Sequence, residues 1–241
     1  MEKKKAERYP YIDCDAFDFD RGSFELGLSY MHDGITRAIT RIHAQQADIQ
    51  ASPDTFQPPW ASGSLPLVDI SYMTEDGQQR FLTQRVPIAG IGCNSAPQKL
   101  ADKIAGQWEK TTGESNTEIT IPVLQGRIDG HVIAHSAFVS KTGGVPATLY
   151  PAGAQASLTV GFYTPDEACV LTGTEPNYEG ILLNTGIDLP NGQNLMQVLA
   201  YVSIWGALSA DGQCPLVTSH IPVSGAFQTL TTAEAIDFVR D

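Results

Sequence analysis

Short apolar runs separated by turn residues fill the second half of the chain, and they constrain its fold more than any other feature. After Gly113, runs such as HVIAHSAFVS, ASLTVGFYT, EACVLTG and NLMQVLAYVSIWGAL alternate with turns such as KTGG, TPDE and DLPNGQ. Strand-length runs at nearly regular spacing are typical of antiparallel sandwiches and barrels. We therefore expect a mainly β protein, an antiparallel β-sandwich or jelly-roll-like barrel with two or three peripheral helices.

The first half of the chain mixes strand and helix patterns. Residues 23–30, SFELGLSY, alternate apolar and polar side chains, which predicts a half-buried strand. Residues 32–50 switch to helical spacing and predict a helix with Asp33 as its N-cap, packed on its own sheet. One stripe of that helix carries Ile35, Ile39, Ile42 and Ile49. The runs LPLVDISYM and RFLTQRVPI, separated by TEDGQQ, then predict a β-hairpin.

Two more helices are expected. Residues 95–113, SAPQKLADKIAGQWEKTTG, predict a helix capped by Ser95, with an apolar stripe at Leu100, Ile104 and Trp108. The last residues, TTAEAIDFVRD, predict a short terminal helix capped by Thr232.

The domain organisation expected from these elements is simple. We expect residues 1–22 to form an N-terminal arm and first strand, and residues 23–241 to form a single β-rich domain. The Pro/Ser-rich segment at residues 51–64 is the one candidate boundary, because residues before proline avoid the α region and extend the chain.

The charge distribution excludes some partners. The net charge is −12, and no Lys or Arg lies between Thr142 and Val239. That segment carries only acidic charges: Asp166, Glu167, Glu175, Glu179, Asp188, Asp211, Glu234 and Asp237. A surface without cations cannot neutralise phosphates, so the C-terminal half should bind neither nucleic acid nor anionic lipid.

The termini and apolar runs indicate a soluble protein made in the cytoplasm. The basic start MEKKKAERYP is followed by polar residues instead of the apolar region of a signal peptide. The longest apolar run, residues 195–208, contains Gln197 and Ser203 and is too short to span a bilayer. A chain of this length without a signal peptide is expected to keep its four cysteines as reduced thiols, although their even number permits two disulfides, and their wide spacing disfavours a zinc site: Cys14, Cys93, Cys169 and Cys214.

Residues 11–22, YIDCDAFDFDRG, concentrate carboxylates at Asp13, Asp15, Asp18 and Asp20. No frame of this stretch places acidic residues, glycine and glutamate as a calcium-binding EF-hand loop needs them. A bulged strand with its aspartates in water explains the spacing, since Phe17 and Phe19 would then point inward. A different cation site, completed by a distant loop, stays open.

Two other short motifs resemble parts of known kinds of site. In HVIAH, His131 and His135 would lie about 13 Å apart on a strand, too far for one metal ion, so two hydrogen-bonded histidines are expected. GIGCNS, residues 90–95, lacks the third glycine of a dinucleotide-binding loop. Cys93, just before a helix start, could be a nucleophile if His131, His135 or His220 came near, and a buried structural cysteine is the alternative.

Aromatic residues suggest a further binding surface. Trp60, in the extended segment QPPWAS, could stack on a sugar or pack over an open end of the sheet, and packing is favoured. Tyr201 and Trp205 lie in the most apolar run and are expected in the core.

Three functions remain, and the first is preferred. It is a non-enzymatic structural or assembly protein, such as a virus or phage particle component, that contacts itself and other structural proteins. Its contacts would be the N-terminal arm and the helix face of Ile35, Ile39, Ile42 and Ile49. The alternatives are a carbohydrate- or ligand-binding module and an enzyme with Cys93 as nucleophile. No catalytic, cofactor-binding or metal-binding residue is assigned.

Overall fold

Long antiparallel strands form most of the computed structural model, which describes residues 25–32, 37–60, 63–74, 77–95, 97–113, 118–141, 143–212, 214–219 and 223–240. The strands are β1 Glu25–His32, β2 Arg37–Phe56, β3 Leu65–Thr74, β4 Gln79–Gly90, β5 Glu118–Ile121, β6 Val123–His135, β7 Ala147–Tyr163, β8 Tyr178–Leu183, β9 Ile187–Asp188, β10 Asn194–Leu195, β11 Val198–Ser203, β12 Val217–Thr218 and β13 Thr229–Leu230. The helices in the described ranges are α1 Pro97–Thr112, α2 Pro165–Thr172 and α3 Thr232–Phe238, with a 3-10 helix at Gly92–Ser95. The expected mainly β fold with few helices is confirmed. None of the described helices is long and apolar enough to cross a membrane.

The sheet curls because its path of paired strands returns to its start. Strands β6, β7, β4, β3, β2, β1 and β5 are hydrogen-bonded in that order. Ile121 of β5 pairs with β1, and two residues later Val123 of β6 pairs with β7. Since only Pro122 separates β5 from β6, the pairing forms a closed circuit, as in a barrel.

Strand β4 changes neighbours along its length, and this positions the site. Its first half pairs with β3. Its second half, residues 86–90, pairs with β7, and Ile88 and Ala89 also pair in parallel with β11 on the other side. Residues 86–90 are all buried, so β4 ends in the middle of the fold.

The two largest apolar clusters of the described residues lie on the two faces of this central region. Val86 and Ile88 of β4 pack in one cluster with Leu100 and Ile104 of α1. Ala89 of β4 packs in the other cluster, with apolar residues of β6 and β7. Alternate residues of a strand point to opposite faces, so residues 86–90 of β4, which are buried on both faces, are apolar at every position. Each fully buried aliphatic side chain contributes about 1.5–3 kcal/mol.

The helix predicted over residues 32–50 is wrong. Most of that segment belongs to β2, in which Ile39, Ile42 and Ile49 pair with residues of β1 or β3, while Ile35 lies outside the described residues. Isoleucine and threonine are β-branched and favour strands, and pairing along both edges outweighs a short helical stripe. The proposed boundary at residues 51–64 falls on the end of β2 and the turn after it, and the division into an arm and one domain stays a prediction.

The strand predicted for EACVLTG is also wrong, because this segment forms α2. Thr164 is its N-cap: the Thr164 hydroxyl accepts from the Glu167 backbone at 3.2 Å, and the Glu167 carboxylate accepts from the Thr164 backbone at 2.7 Å. Pro165 occupies the first helical position, which suits proline because no N–H is needed there. This reciprocal capping box starts the helix directly after β7.

Trp205 is not in the core as predicted, since its side chain is 58% exposed. Strand β11 ends at Ser203, and Ile204 and Trp205 form the turn that follows. Tyr201, inside β11, is buried as expected.

Several local predictions are confirmed. A strand covers most of residues 23–30, β3 and β4 form the expected hairpin, and α1 buries Leu100 and Ile104. Ser95 lies in the 3-10 helix, where its hydroxyl donates to the Gly92 carbonyl at 2.6 Å, and its predicted role as the cap of α1 stays a prediction. The terminal helix α3 is capped by Thr231, one residue before the predicted cap.

Candidate functional site

A cavity of about 300 Å³ lies where the end of β4 meets the turn after α2. Its walls come mainly from five separate parts of the chain: residues 89–94, Lys103 of α1, residues 138–141, residues 174–178 and Tyr201 of β11. Cavities of this size with a few polar groups bind small molecules.

Two glycines let the chain turn sharply out of β4 into the cavity wall. Gly92 has φ +62°, a left-handed conformation that glycine adopts without strain. A Cβ atom at Gly90 would collide with the Thr159 hydroxyl and lie 2.9 Å from the Asn94 carbonyl oxygen. The 3-10 helix can therefore fold back against β7, and Cys93 and Asn94 line the cavity.

Glu175 is a buried carboxylate held through one of its two oxygens. Its Oε1 accepts hydrogen bonds from Lys103 Nζ at 2.6 Å, Asn94 Nδ2 at 3.0 Å and Thr174 Oγ1 at 3.3 Å. No described residue donates to Oε2, although the side chain is only 7% exposed and lines the cavity. One oxygen is fixed by these three donors, and the other is accessible to water in the cavity.

Helix α2 and its C-terminal turn place Glu175. The Glu175 backbone N–H donates to the Thr172 carbonyl at 3.0 Å. The Thr172 hydroxyl in turn lies 2.6 Å from the Tyr201 hydroxyl, which fastens the turn to β11. At the other end of α2, Glu167 forms a 3.5 Å salt bridge with Arg85 of β4. Burial raises the pKa of the Glu167 carboxyl, although Thr164 and Arg85 oppose that rise.

Lys103 is the cation that balances Glu175. Its burial lowers its pKa, but the attraction of Cys93 and Glu175 outweighs that effect, so the pKa of Lys103 is raised. The amine is therefore protonated at neutral pH. Its Nζ also donates to Asn94 Oδ1 at 2.9 Å. Two of the three donors of this ammonium group bond to Glu175 and Asn94, and the Cys93 sulfur also interacts with the amine.

The remaining walls are aromatic and cationic. The rings of Phe138 and Tyr178 meet edge to face, with centroids 6.2 Å apart, and the Tyr178 hydroxyl donates to the Ala147 carbonyl at 3.0 Å. Burial raises the pKa of Tyr201, so its phenol stays neutral. Lys141 adds a second, exposed ammonium group to the lining. With two lysines and one glutamate, the described lining is cationic in a chain whose net charge is −12.

Of the residues singled out from the sequence, Cys93 lies in this cavity, half-buried, with its Sγ 3.8 Å from Asn94 Oδ1. His131 lies on β6 with its Nδ1 2.9 Å from the Asp129 carbonyl. His135 is fully buried on the same strand, and its Nε2 is 2.9 Å from the Leu230 carbonyl. Neither of these described histidines lines the cavity, and His220 lies outside the described residues.

Other sequence candidates lie elsewhere. Asp13, Asp15, Asp18 and Asp20 lie outside the described residues. Trp60 packs edge to face on Phe56, with ring centroids 6.2 Å apart, against the same apolar cluster as α1, so the packing interpretation is confirmed. Of the four cysteines, Cys93, Cys169 and Cys214 are free thiols, and Cys14 is not among the described residues.

Sequence reasoning missed Asn94, Lys103 and Glu175. Their hydrogen bonds span 81 residues for Asn94–Glu175 and 72 residues for Lys103–Glu175, so no local pattern shows them together. The one available signal was the glycine-rich change from strand to helix at GIGCNS, which placed Cys93 beside Asn94.

No protein-family model and no curated protein matches the chain. Among solved structures, it is similar to the crystal structure of YkqA from Bacillus subtilis, with 9% sequence identity, 79% of each chain covered and a TM-score of 0.36. A similarity at that TM-score carries no argument about the fold or the site.

Proposed function

We propose that this protein is an enzyme that binds a small carboxylate-bearing substrate in the cavity and transfers a proton with Glu175. The observation that supports it is the Glu175 carboxylate, held rigidly through Oε1 while Oε2 accepts no hydrogen bond from the described residues. General acid–base catalysis needs a positioned group within hydrogen-bond reach of the proton that it moves. Because its Oε1 is held in place, Glu175 presents Oε2 as a positioned group for proton transfer.

The charges of the lining support an anionic substrate. Lys103 contributes one ammonium group to the lining, and Lys141 contributes a second, exposed one. Cations in a partly enclosed cleft attract anions more strongly than they would in open water. We assign the anionic group of the substrate to these two lysines.

The aromatic wall supports a substrate with an apolar part. The rings of Phe138 and Tyr178 pack edge to face in the cavity lining. The Tyr178 hydroxyl also donates a hydrogen bond to a backbone carbonyl, that of Ala147. Rigid aromatic faces bind hydrocarbon at little cost in conformational entropy. Asn94, which bridges Lys103 and Glu175, is a positioning residue in this scheme.

The assembly function expected from the sequence stays a second proposal. Its proposed contacts are the arm at residues 1–22, which lies outside the described residues, and a helix face that the structure replaces with β2. The described feature that favours assembly is the apolar turn of Ile204 and Trp205, each 58% exposed. Incorporation into a virion and carbohydrate binding also stay predictions.

The test combines binding and turnover with a matched control. Pools of small carboxylic acids are screened by thermal unfolding, and those that raise the melting temperature are incubated with the protein and followed by proton NMR. Glu175→Gln keeps the shape of the side chain and removes its charge. Glu179→Gln makes the same change on the exposed face of β8 and is the control.

We expect wild type and Glu179→Gln to convert at least one binder. Glu175→Gln should still bind it but turn it over about 10²- to 10⁴-fold more slowly, the usual contribution of a general acid or base. The proposal fails if no acid raises the melting temperature, or if Glu175→Gln converts the binder at the wild-type rate.

A further inference from the structure

Cys93 brings a nucleophilic sulfur into the cavity next to a fixed positive charge. Its Sγ lies 3.8 Å from Asn94 Oδ1, and the same oxygen accepts a hydrogen bond from Lys103 Nζ at 2.9 Å. Thiol and ammonium therefore flank one amide oxygen. A nearby cation attracts anionic reagents to the sulfur.

The other described thiols have carboxylates near them instead. Cys169 is exposed, and burial together with the charge of Asp166 raises the pKa of its thiol. Cys214 is exposed, and its backbone N–H donates to Asp211 Oδ1 at 2.9 Å. Both lie in the segment from Thr142 to Val239, which has no Lys or Arg. The chain thus contains its own comparison between a thiol beside a cation and thiols beside anions.

We propose that Cys93 is a covalent modification site for small anionic disulfides, and that its modification blocks the cavity. The Cys93 thiolate attacks one sulfur of the disulfide, forming a new S–S bond and breaking the bond within the reagent. The leaving thiolate carries away the electron pair and takes up the proton that Cys93 released. The disulfide is the oxidant, and one half of it leaves as a reduced thiol.

The blocking step rests on the proposed function, because it takes the cavity to be the substrate site. The cavity measures about 300 Å³, and Cys93, Lys103 and Glu175 all line it. A carboxylate-bearing group attached to Cys93 would take up part of this volume and pair with Lys103. It would therefore compete with a substrate both for space and for the cation.

The experiment compares two disulfides that differ in charge. The full chain is treated with dithiodiglycolate, which is anionic, or with cystamine, which is cationic, and the modified fraction of each cysteine is followed over time by peptide mass spectrometry. For each cysteine, the rate of modification by dithiodiglycolate is divided by the rate of modification by cystamine. We expect this ratio to be at least about tenfold higher at Cys93 than at Cys214. High salt screens the charge of the lysine, so the ratios at Cys93 and Cys214 should move closer together. This comparison uses the wild-type protein alone.

Variants of Lys103 test the cation itself. Lys103→Met should lower the ratio at Cys93 to that of Cys214, and Lys103→Arg should restore it. Equal ratios at the two cysteines, an unchanged ratio in Lys103→Met, or no modification of Cys93 while Cys214 reacts would each overturn the modification site. These readouts need no substrate, so they stand or fall separately from the proposed enzymatic activity.

The blocking step has its own readout. The carboxylic acids that raise the melting temperature of the free protein are tested again after modification, with Cys93→Ala as the variant that cannot be modified. Loss of binding in modified wild type, but not in treated Cys93→Ala, is expected. Full binding by the modified wild type would refute the block and leave the proposed function untouched.

Discussion

Lys103→Met is the most direct test of how the candidate site is held together. The change removes the ammonium group that lies 2.6 Å from Glu175 Oε1 and keeps a long apolar side chain. At that distance and an effective dielectric constant of about 20, the attraction between unit charges is about 6 kcal/mol before desolvation of the two ions is subtracted. Glu175 would stay buried without its partner.

The expected loss follows from the burial of the two groups. Removing one partner of a fully buried ion pair costs about 3–5 kcal/mol, because the other charge is left uncompensated. The side chain of Lys103 is 25% exposed and that of Glu175 is 7% exposed, so water screens the pair in part. We therefore expect Lys103→Met to lower the free energy of unfolding by about 2–4 kcal/mol. In a chain of 241 residues this corresponds to a fall of roughly 4–16 °C in melting temperature.

Urea unfolding measures this loss, and a double-mutant cycle assigns it to the pair. Adding Glu175→Gln to Lys103→Met should recover about 1–2 kcal/mol, because a buried amide needs no counter-charge. Lys141→Met is the matched control, since it removes an exposed lysine from the same cavity and should change stability by less than about 0.5 kcal/mol. A loss below about 1 kcal/mol for Lys103→Met, as at an exposed surface pair, or strict additivity in the cycle would refute the reasoning.

Three further outcomes are expected. Gly90→Ala should lower the free energy of unfolding in urea by about 1–3 kcal/mol, because the new methyl group would lie 2.9 Å from a backbone carbonyl oxygen. Gly106→Ala, with open space in the interior of α1, should raise it by about 0.5–1 kcal/mol, and equal effects of the two changes would contradict the packing argument. Hydrogen bonds from Thr231 lower the pKa of Glu234, so its stabilising effect is present above the unfolded value of about 4.3 and is lost as pH falls through the folded value. Melting curves should therefore show a smaller loss between pH 7 and pH 3 for Glu234→Gln than for wild type. Light scattering after size exclusion tests the assembly proposal, which expects an oligomer that weakens when residues 1–22 are removed, and a monomer in both forms would count against it.

The β character of the chain was predictable because its signals are local. Period-two alternation and turn residues report on a few neighbouring positions, and the hairpin of β3 and β4 followed from them. The error at residues 32–50 has the same origin. Isoleucines spaced at three and four residues satisfied a helical pattern over about two heptads, while strand pairing along both edges of β2 is invisible in a local window.

Helix α2 shows a local signal that was present and was misread. The stretch Thr164-Pro165-Asp166-Glu167 has the spacing of a capping box with proline at the first helical position. It was interpreted as a turn because apolar, strand-like residues follow it. Recognising the cap would have placed Glu175 just after a short helix, although its partners would still have been unknown.

The candidate site could not be predicted, because its contacts depend on how the sheet closes. Asn94 follows β4, Lys103 lies on α1, and Glu175 follows α2, so each of the three comes from a different element of the chain. Cys93 was found because a change from strand to helix is visible locally, but neither described histidine lines the cavity beside it, so the condition set for a cysteine nucleophile is not met by His131 or His135. The residue next to its thiol is Asn94, shared with Lys103.

Burying Asn94, Lys103 and Glu175 costs free energy, and this cost argues that the three residues serve a ligand as well as the fold. Where β4 ends between β7 and β11, apolar side chains would fill the space at lower cost than an ion pair, since buried charges must be desolvated. A buried polar network kept for stability satisfies its donors and acceptors internally. Here the described residues satisfy Oε1 of Glu175 three times and leave Oε2 without a donor, beside a cavity that also holds Cys93 and a second lysine. An acceptor held at one oxygen and open to the cavity at the other can receive a donor from a bound molecule in place of water.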